Sequence, residues 1–447
     1  MTLLCYRTMS PNITVSRSHK KVKATIQLTG SKSECNRALV IEALSKGKVK
    51  VTNISDAADA VTLAGILRGA GSEVRGAESN TNAQPSPPDL SNPAPHSSLL
   101  ATEVNIGPAG TAMRFLTAYF TLQTGEVLLT GTERMKQRPI GILVDALKAL
   151  GANISYAENE GFPPLLIKGR FEQLTESITI KGDISSQYIT ALLLIASNLP
   201  KGLQLHIDGE LTSRPYVEMT LSMLQQAGIQ HQWTDNVISI APQDFRETSI
   251  WVEPDWSAAS YWYAVAALAD EAELFLPGLT SYSLQGDSVI TELMANFGIT
   301  SQFKDGGVHL KKEPKPIIRK IFDLKSCPDL AQTLIVVCAA LGHDATFTGL
   351  ETLKIKETDR IAALQNELAK MGVKLIEKGL VYKLDCSEKF IPNNITIATY
   401  EDHRMAMAFA PLAMVIPQVE IEEAEVVNKS YPAFWQDFEK AGFVLSN

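Results

Sequence analysis

Two apolar patterns alternate along the chain. In the first, apolar residues run almost unbroken for about ten positions: NRALVIEAL near Arg37, MRFLTAYFTL near Arg114, QYITALLLIA near Tyr188, SYWYAVAAL near Tyr261, TLIVVCAAL near Leu334 and HRMAMAFAPLA near Arg404. A helix that is apolar all round must be covered on every side. In the second pattern apolar residues recur every three to four positions, a glycine follows, and a strand-like stretch comes next. Its copies are LAGILRGAGSEV, LVDALKALGANISY, LSMLQQAGIQHQW, ITELMANFGITSQF, LQNELAKMGVKLI and FWQDFEKAGFVL. These predict amphipathic helices closed by a glycine in the left-handed conformation that a Cβ disfavours.

The two patterns keep one period. The glycines Gly71, Gly151, Gly228, Gly298, Gly372 and Gly442 are 80, 77, 70, 74 and 70 residues apart, and the apolar runs are 77, 74, 73, 73 and 70 apart. Two independent markers with one spacing imply six copies of a unit holding two helices and several strands. The expected architecture is α/β (α+β), with three units per globule, all-apolar helices inside, and amphipathic helices and sheets outside. A stacked solenoid is the alternative, but its repeats usually run about 20 to 50 residues. Residues 77–103, rich in Pro, Ser and Asn, break the period and read as a disordered surface insertion.

Composition narrows the class. A chain of 447 residues has room for two or three domains. Its formal charge of -8 gives no global attraction to nucleic acid or anionic membranes. The N-terminus lacks a secretory apolar segment and no stretch reaches the roughly 18 apolar residues of a membrane span, so a cytoplasmic protein is expected. Cys5, Cys35, Cys327, Cys338 and Cys386 are scattered, odd in number and without CxxC spacing, which argues against a disulfide framework and a zinc site. Cys338 lies in an apolar run and reads as core.

The segments before the apolar helices are GSKSECNR, GPAGTAMR, GDISSQY, EPDWSAAS, SCPDLAQT and YEDHRMAM. Their Ser, Asp, Gly and Pro residues suit helix N-termini, and N-capping alone accounts for Asp255 or Ser257. Capping does not account for the cations. Lys32, Arg37, Arg114 and Arg404 fall in first turns, where the helix dipole already carries about half a positive charge. Arg134 and Arg138, and Lys356 and Arg360, read as like-charge pairs four apart on a helix. Cations placed at helix N-termini describe sites for phosphate or carboxylate. Asp329 and Glu357 lie among them, as salt-bridge partners or as a general acid/base pair. His403, beside Arg404, stays ambiguous on the same grounds.

Taken in order, LTGSKSECNRAL, AGTAMR, TGTERMKQRPI, ISSQYITALL, SRPY, DWSAASYW, PDLAQT, KETDRI, DHRMAMA and NKSYP resemble the 5-enolpyruvylshikimate-3-phosphate (EPSP) synthase family, over residues 28–432. The resemblance implies a two-domain inverted α/β barrel with three repeats per domain. One domain would span 33–250 and the other 1–32 plus 251–447, with the active site in the cleft between them. It implies that Lys32, Ser33, Arg37, Ser185, Ser186, Gln187, Ser213, Tyr216, Asp329 and Lys356 bind shikimate 3-phosphate. It further implies that Lys32, Gly110, Thr111, Arg138, Gln187, Arg360, His403, Arg404 and Lys429 bind phosphoenolpyruvate. Asp329, Glu357 and Lys32 would carry the proton chemistry, with no cofactor and no metal, in a monomer whose partners are these two small molecules.

Three positions depart from the family pattern: Pro108 for Asn and Phe115 for Pro around AGTAMR, and Thr352 where Asn is common. A related fold could instead serve UDP-N-acetylglucosamine as acceptor. That family uses a loop cysteine, whereas here no cysteine lies between Cys35 and Cys327. A non-catalytic anion-binding protein of the same fold is the remaining alternative, although anion binding gains nothing from Asp329 and Glu357.

Overall fold

The computed structural model describes residues 12–73, 101–169, 172–183, 185–313 and 315–446. The six apolar runs form the helices Lys32–Leu44, Gly110–Thr121, Ser186–Ala196, Trp256–Leu268, Ala331–Leu341 and His403–Phe409. In Trp256–Leu268 every residue but Ser257 is buried, and in Ala331–Leu341 every residue but Leu341. Burial on all sides is what continuous apolarity demands. The amphipathic helices are Ala58–Glu73, Gly141–Leu150, Arg214–Gln226, Ile290–Ala295, Arg360–Ala369 and Phe434–Lys440.

Wherever four strands are described, a unit's strands follow one plan, clearest in Thr102–Asn105, Glu126–Thr130, Asn153–Tyr156 and Leu165–Lys168. The first two strands pair in parallel across the buried helix, and the last two add antiparallel, giving the order first, second, fourth, third. The same order recurs in the sheets built on Ser177–Lys181, Ile321–Asp323 and Asn394–Ile397. In the last of these, Ile13–Ser16 from the start of the chain supplies the fourth strand.

Two units exchange their first strands. Lys21–Thr25, which leads into helix Lys32–Leu44, pairs in parallel with Glu271–Pro277, while Thr248–Trp251, which leads into helix Trp256–Leu268, pairs with Val49–Thr52. The connections therefore cross. They meet as an antiparallel bridge between Gly30 and Pro254, with Ser31 N donating to Glu253 O at 2.7 Å and Asp255 N to Thr29 O at 2.9 Å. A Cβ on Gly30 would stand 2.3 Å from Asn53 O, so the crossing needs a glycine. Apolar burial divides accordingly. One cluster runs from Cys35 to Val252, and the other joins Val15–Leu28 to Trp256–Phe443. In each, three buried helices pack together. Among the described residues no helix is long and apolar enough to cross a membrane.

Two expectations need correction. Gly71 lies inside helix Ala58–Glu73, not beyond its end, because a helix interior tolerates glycine at a cost of about 1 kcal/mol. Thr102 and Glu103, assigned to the insertion, belong to strand Thr102–Asn105, since their backbone pairs with Val127 and Leu128. Residues 77–100 lie outside the described residues. The other five glycines do take positive φ, from 71° at Gly372 to 115° at Gly151.

At Gly372 the conformation coincides with a close approach: a Cβ would stand 2.3 Å from Glu388 O, whereas Gly379, with φ 63°, has open space around it. Gly379→Ala is expected to lower stability by about 1 kcal/mol, and Gly372→Ala by roughly 2–4 kcal/mol, in urea unfolding. Equal losses would show that the close approach does not dictate the glycine.

The crossing also buries Glu34, whose Oε2 accepts from Glu253 N at 3.0 Å. Burial, with Glu253 and Asp255 nearby, pushes its carboxyl up to about 8 from an ordinary 4.5. Between those values the unfolded chain binds fewer protons than the folded one, so Glu34 costs stability increasingly as pH rises from about 4.5 to about 8. Glu34→Gln keeps the acceptor and removes the titration. Its thermal midpoint is expected to gain on the wild type between pH 5 and 8 and to hold that gain above; a pH-independent difference would contradict the shift.

Candidate active site

The N-termini of buried helices from both apolar clusters face one cavity. It is lined by Lys32, Ser33, Arg37, Gly110, Thr111, Arg138, Ser185, Ser186, Gln187, Ser213, Tyr216, Asp329, Lys356, Glu357, Arg360, His403 and Arg404. These are all the residues that the resemblance assigns to substrate binding or proton transfer except Lys429, which reaches the cavity through its ammonium, 2.9 Å from Glu357 Oε1; Arg134, also singled out from the sequence, does not line it.

The helix ends are finished unequally. Ser31, Ser185, Asp255 and Asp402 cap their helices by accepting from Glu34, Gln187, Ala258 and Arg404 N–H groups. Helix Gly110–Thr121 has no side-chain cap, so its first N–H groups remain free for an anion. A Cβ on Gly110 would lie 2.4 Å from Arg138 Nη1, which rests over the helix end, so a side chain there would displace the guanidinium. Across from it, Gln187 Nε2 donates to Thr111 Oγ1 at 3.2 Å. Ser213 holds a left-handed backbone, φ 55° and ψ 40°, unusual for a residue with a Cβ, and heads helix Arg214–Gln226 without capping it.

The cations divide into two sets. Arg360, 1% exposed, donates to Asp402 at 2.7 Å, Glu357 at 2.9 Å and Asp329 at 3.2 Å. Arg404 reaches Asp329 Oδ2 at 2.8 Å, and Lys32 lies 3.5 Å from Asp59. The other set has no carboxylate partner among the described residues. Arg37, 2% exposed, donates to Thr220, Thr190 and the carbonyls of Ser33 and Tyr216. Arg114 donates to the carbonyls of Gly110 and Pro139. Arg138 is buried with its Nε unpaired. Burial pulls the Arg37 and Arg114 guanidiniums down to about 10, and Arg138 contributes to the fall at Arg114. Burial, opposed by Asp329, also lowers Lys356.

Both candidate acid/base carboxyls are ionised here. Burial alone would raise Asp329, but Arg404, Lys356 and Arg360 outweigh it and hold the carboxyl far below the usual range. Glu357 is likewise held down against burial by Lys429, Arg360 and Arg138. Burial and the charges of Lys32, Arg404 and Lys429 disfavour the His403 imidazolium; both ring nitrogens are buried without a hydrogen bond, Nδ1 lying 3.6 Å from Asp402 Oδ1. Tyr216 Oη meets Asp329 Oδ2 at 3.4 Å, joining the two apolar clusters across the cavity.

The helical like-charge pairs expected at 134/138 and 356/360 do not exist. Helix Glu133–Lys136 ends before Arg138, and Lys356 lies outside helix Arg360–Ala369, whose N-cap is Asp359. The turn and the cap send the two members of each pair in different directions. Phe115, a departure from the family pattern, packs its ring 5.5 Å from the Arg37 guanidinium carbon. Thr352 lines the cavity, while Pro108 is exposed at its edge.

Several lining residues escaped the sequence reading: Asp59, Tyr261 and Ser430, together with Asp255 and Ser257, which had read only as helix caps. Asp255 does cap, and it also takes Lys32 N at 3.1 Å. Ser257 donates to buried Asp287 and stands 3.4 Å from Arg404. Asp59 is the second residue of helix Ala58–Glu73 and lies four residues ahead of the LAGILRGAGSEV pattern, so the periodicity did not mark it.

The family model for EPSP synthase (3-phosphoshikimate 1-carboxyvinyltransferase) matches residues 16–438. The chain is 47% identical over 426 residues to a 3-phosphoshikimate 1-carboxyvinyltransferase of Bacteroides fragilis, covering 95% of this chain and 96% of that one. It is 36% identical over 421 residues to a Shewanella enzyme of the same name, with 94% and 96% covered. In fold it is similar to EPSP synthase from Acinetobacter baumannii, with TM-score 0.72, 21% identity, and 98% of this chain and all of that chain covered. It is also similar to the enolpyruvyl transferase NikO from Streptomyces tendae, with TM-score 0.69, 15% identity, and 98% and 99% covered. A match over nearly the whole chain, on a scaffold whose helix ends gather cations in one gap, makes this protein a member of the EPSP synthase family.

Proposed function

We propose that this chain transfers the enolpyruvyl group of phosphoenolpyruvate to the 5-hydroxyl of shikimate 3-phosphate, releasing phosphate. The observation that carries the reading is the set of buried cations without carboxylate partners, Arg37, Arg114 and Arg138, beside an uncapped helix end. Buried charge without compensation is costly, so such a site is built for anionic ligands. Two anions in one cavity, flanked by two carboxylates, fit addition and elimination rather than binding alone.

In this reading Ser185, Ser186, Ser213, Tyr216, Ser33, Arg37 and Lys356 hold shikimate 3-phosphate. Gly110, Thr111, Arg138, Arg360, His403, Arg404 and Lys429 hold phosphoenolpyruvate, and Lys32 and Gln187 lie between. The 5-hydroxyl oxygen bonds to C2 and its proton passes to Asp329, while C3 takes a proton from Glu357 and becomes a methyl. In the second step the C2–O bond to phosphate breaks, the methyl returns a proton, and the double bond reforms. The bound anions neutralise Arg360, Lys429 and Arg138, the charges that hold Glu357 down, so its carboxyl takes up the proton it must deliver. Fixed cations stabilise the charge that develops, and water exclusion strengthens them.

The two apolar clusters and the crossing at residues 29–32 and 252–255 support domains at 33–250 and 1–32 plus 251–447. One chain completes the cavity, which supports a monomer. Cys35, Cys327, Cys338 and Cys386 are free thiols, as suits a cytoplasmic protein.

Incubation with both substrates and a chelator is expected to release phosphate in step with loss of both. Phosphate release independent of shikimate 3-phosphate would overturn the reading. Glu357→Gln is expected to cut turnover at least ~100-fold with shikimate 3-phosphate affinity little changed. Near-normal turnover would remove Glu357 from the mechanism. Gly110→Ala pushes on Arg138 and is expected to raise KM for phosphoenolpyruvate roughly 10- to 100-fold, the scale of one charged hydrogen bond. An unaltered KM would place that anion elsewhere.

A further inference from the structure

One cation named in the sequence plays no part in the mechanism above. Arg134 is exposed, on the four-residue helix Glu133–Lys136, and belongs to the half of the molecule that carries Arg138. Its guanidinium reaches across the gap to the other half. Nε donates to Glu357 O at 3.1 Å and Nη2 to Lys356 O at 3.4 Å, while Nη1 is steadied by Gln137 Oε1 at 3.4 Å. Among the described residues no other donor reaches either carbonyl.

Those carbonyls lie in the stretch between the 3-10 helix Glu351–Ile355 and helix Arg360–Ala369. Backbone there has no ladder to hold it, so its position depends on side-chain contacts. The Arg134 end is firm. Thr132 caps the short helix, Met135 is 1% exposed, and Lys136 pairs with Glu158 at 2.9 Å. A planar fork pre-organised in this way fixes two successive carbonyls at once, which a single ammonium cannot do.

We propose that Arg134 is a positioning residue, which clamps the Lys356–Glu357 backbone from the opposite half and so sets the Glu357 carboxyl and the Lys356 ammonium when the two halves meet. The inference rests on the reading of Glu357 given above. It makes proton delivery conditional on closure: with the gap open, Glu357 loses its clamp along with its substrate.

A second link across the gap serves as a control. Lys325 Nζ meets Glu210 Oε2 at 2.5 Å, on exposed side chains that do not touch the 356–357 backbone. General closure weakens with either link; of the two, only Arg134 bears on the backbone that carries Glu357.

The test measures turnover, shikimate 3-phosphate affinity and amide hydrogen exchange in wild type, Arg134→Ala, Arg134→Lys, Glu210→Gln, Glu357→Gln and the Arg134→Ala/Glu357→Gln double variant. Arg134→Ala is expected to lower kcat about 10-fold, the scale of an exposed charged hydrogen bond, with affinity for shikimate 3-phosphate within about twofold. Arg134→Lys is expected to recover part of the loss, and Glu210→Gln to stay near wild type. The double variant is expected to match Glu357→Gln, because a residue acting through another adds nothing once that other is gone. Amides 356–359 are expected to exchange faster in Arg134→Ala and not in Glu210→Gln. Wild-type-like turnover in Arg134→Ala, or losses that multiply in the double variant, would overturn the proposal. Exchange needs no catalysis, so an inactive wild type whose amides still respond would refute the reading of the reaction and leave the clamp standing, whereas unchanged exchange would refute the clamp.

Discussion

Uncompensated positive charge in a confined space organises this protein. Arg37, Arg114 and Arg138 are buried beside helix ends whose own dipoles are positive, and no carboxylate among the described residues meets them. The neighbouring Arg360 and Arg404 are neutralised by Asp329, Glu357 and Asp402. The cavity thus holds a partly balanced lattice with a remainder of cations. The remainder selects anionic ligands, and the balanced part keeps the walls in place while the site is empty. An overall acidic chain makes that local excess more conspicuous.

Such charge concentrates in one place only because of how the chain is routed. Each unit presents the N-terminus of its buried helix at the same end, so three units gather three helix ends. Exchange of the strands Lys21–Thr25 and Thr248–Trp251 between units turns two such gatherings toward each other. Both connections pass through Gly30 and Pro254, and Lys32 begins its helix directly after that crossing. Lys32 is therefore placed where the halves join, within 3.5 Å of Asp59 from one of them and with its backbone N–H on Asp255 from the other.

Much of this was legible in the sequence, because continuous apolarity and glycine punctuation are local consequences of burial and chain reversal. The period located twelve of the thirteen α-helices among the described residues, all but the short Glu133–Lys136, and the cations in first turns located one shared cavity. What escaped was tertiary. Gly71 carries the same mark as five terminal glycines, yet the helix continues through it. Spacing placed Arg134 with Arg138 and Lys356 with Arg360, but the short helix holding Arg134 ends at Lys136, and Asp359 starts a new helix after Lys356. Asp287 and Tyr261 have no local signature at all: an acid in a 3-10 turn and a tyrosine in an apolar helix become neighbours of Arg404 only after folding.

In the proposed reaction, the surroundings of Asp329 and Glu357 let two like carboxylates take opposite proton roles in one site. Both are ionised without substrate, and Arg360 touches both, so their difference must come from their other partners. Asp329 is held by Arg404 and faces Tyr216 Oη from the opposite half, on the side where the proposed reading puts the acceptor's ring hydroxyls. Glu357 is held by Lys429 on the side of Arg138, where a small phosphorylated acid would lie. An anion that takes up Lys429, Arg360 and Arg138 removes the cations that keep Glu357 charged; it claims Arg404 as well, yet leaves Lys356 beside Asp329. The same binding event thus moves one carboxyl toward the acid form and leaves the other a base. Division of labour follows from which cations each ligand claims, with no need for the two groups to differ beforehand.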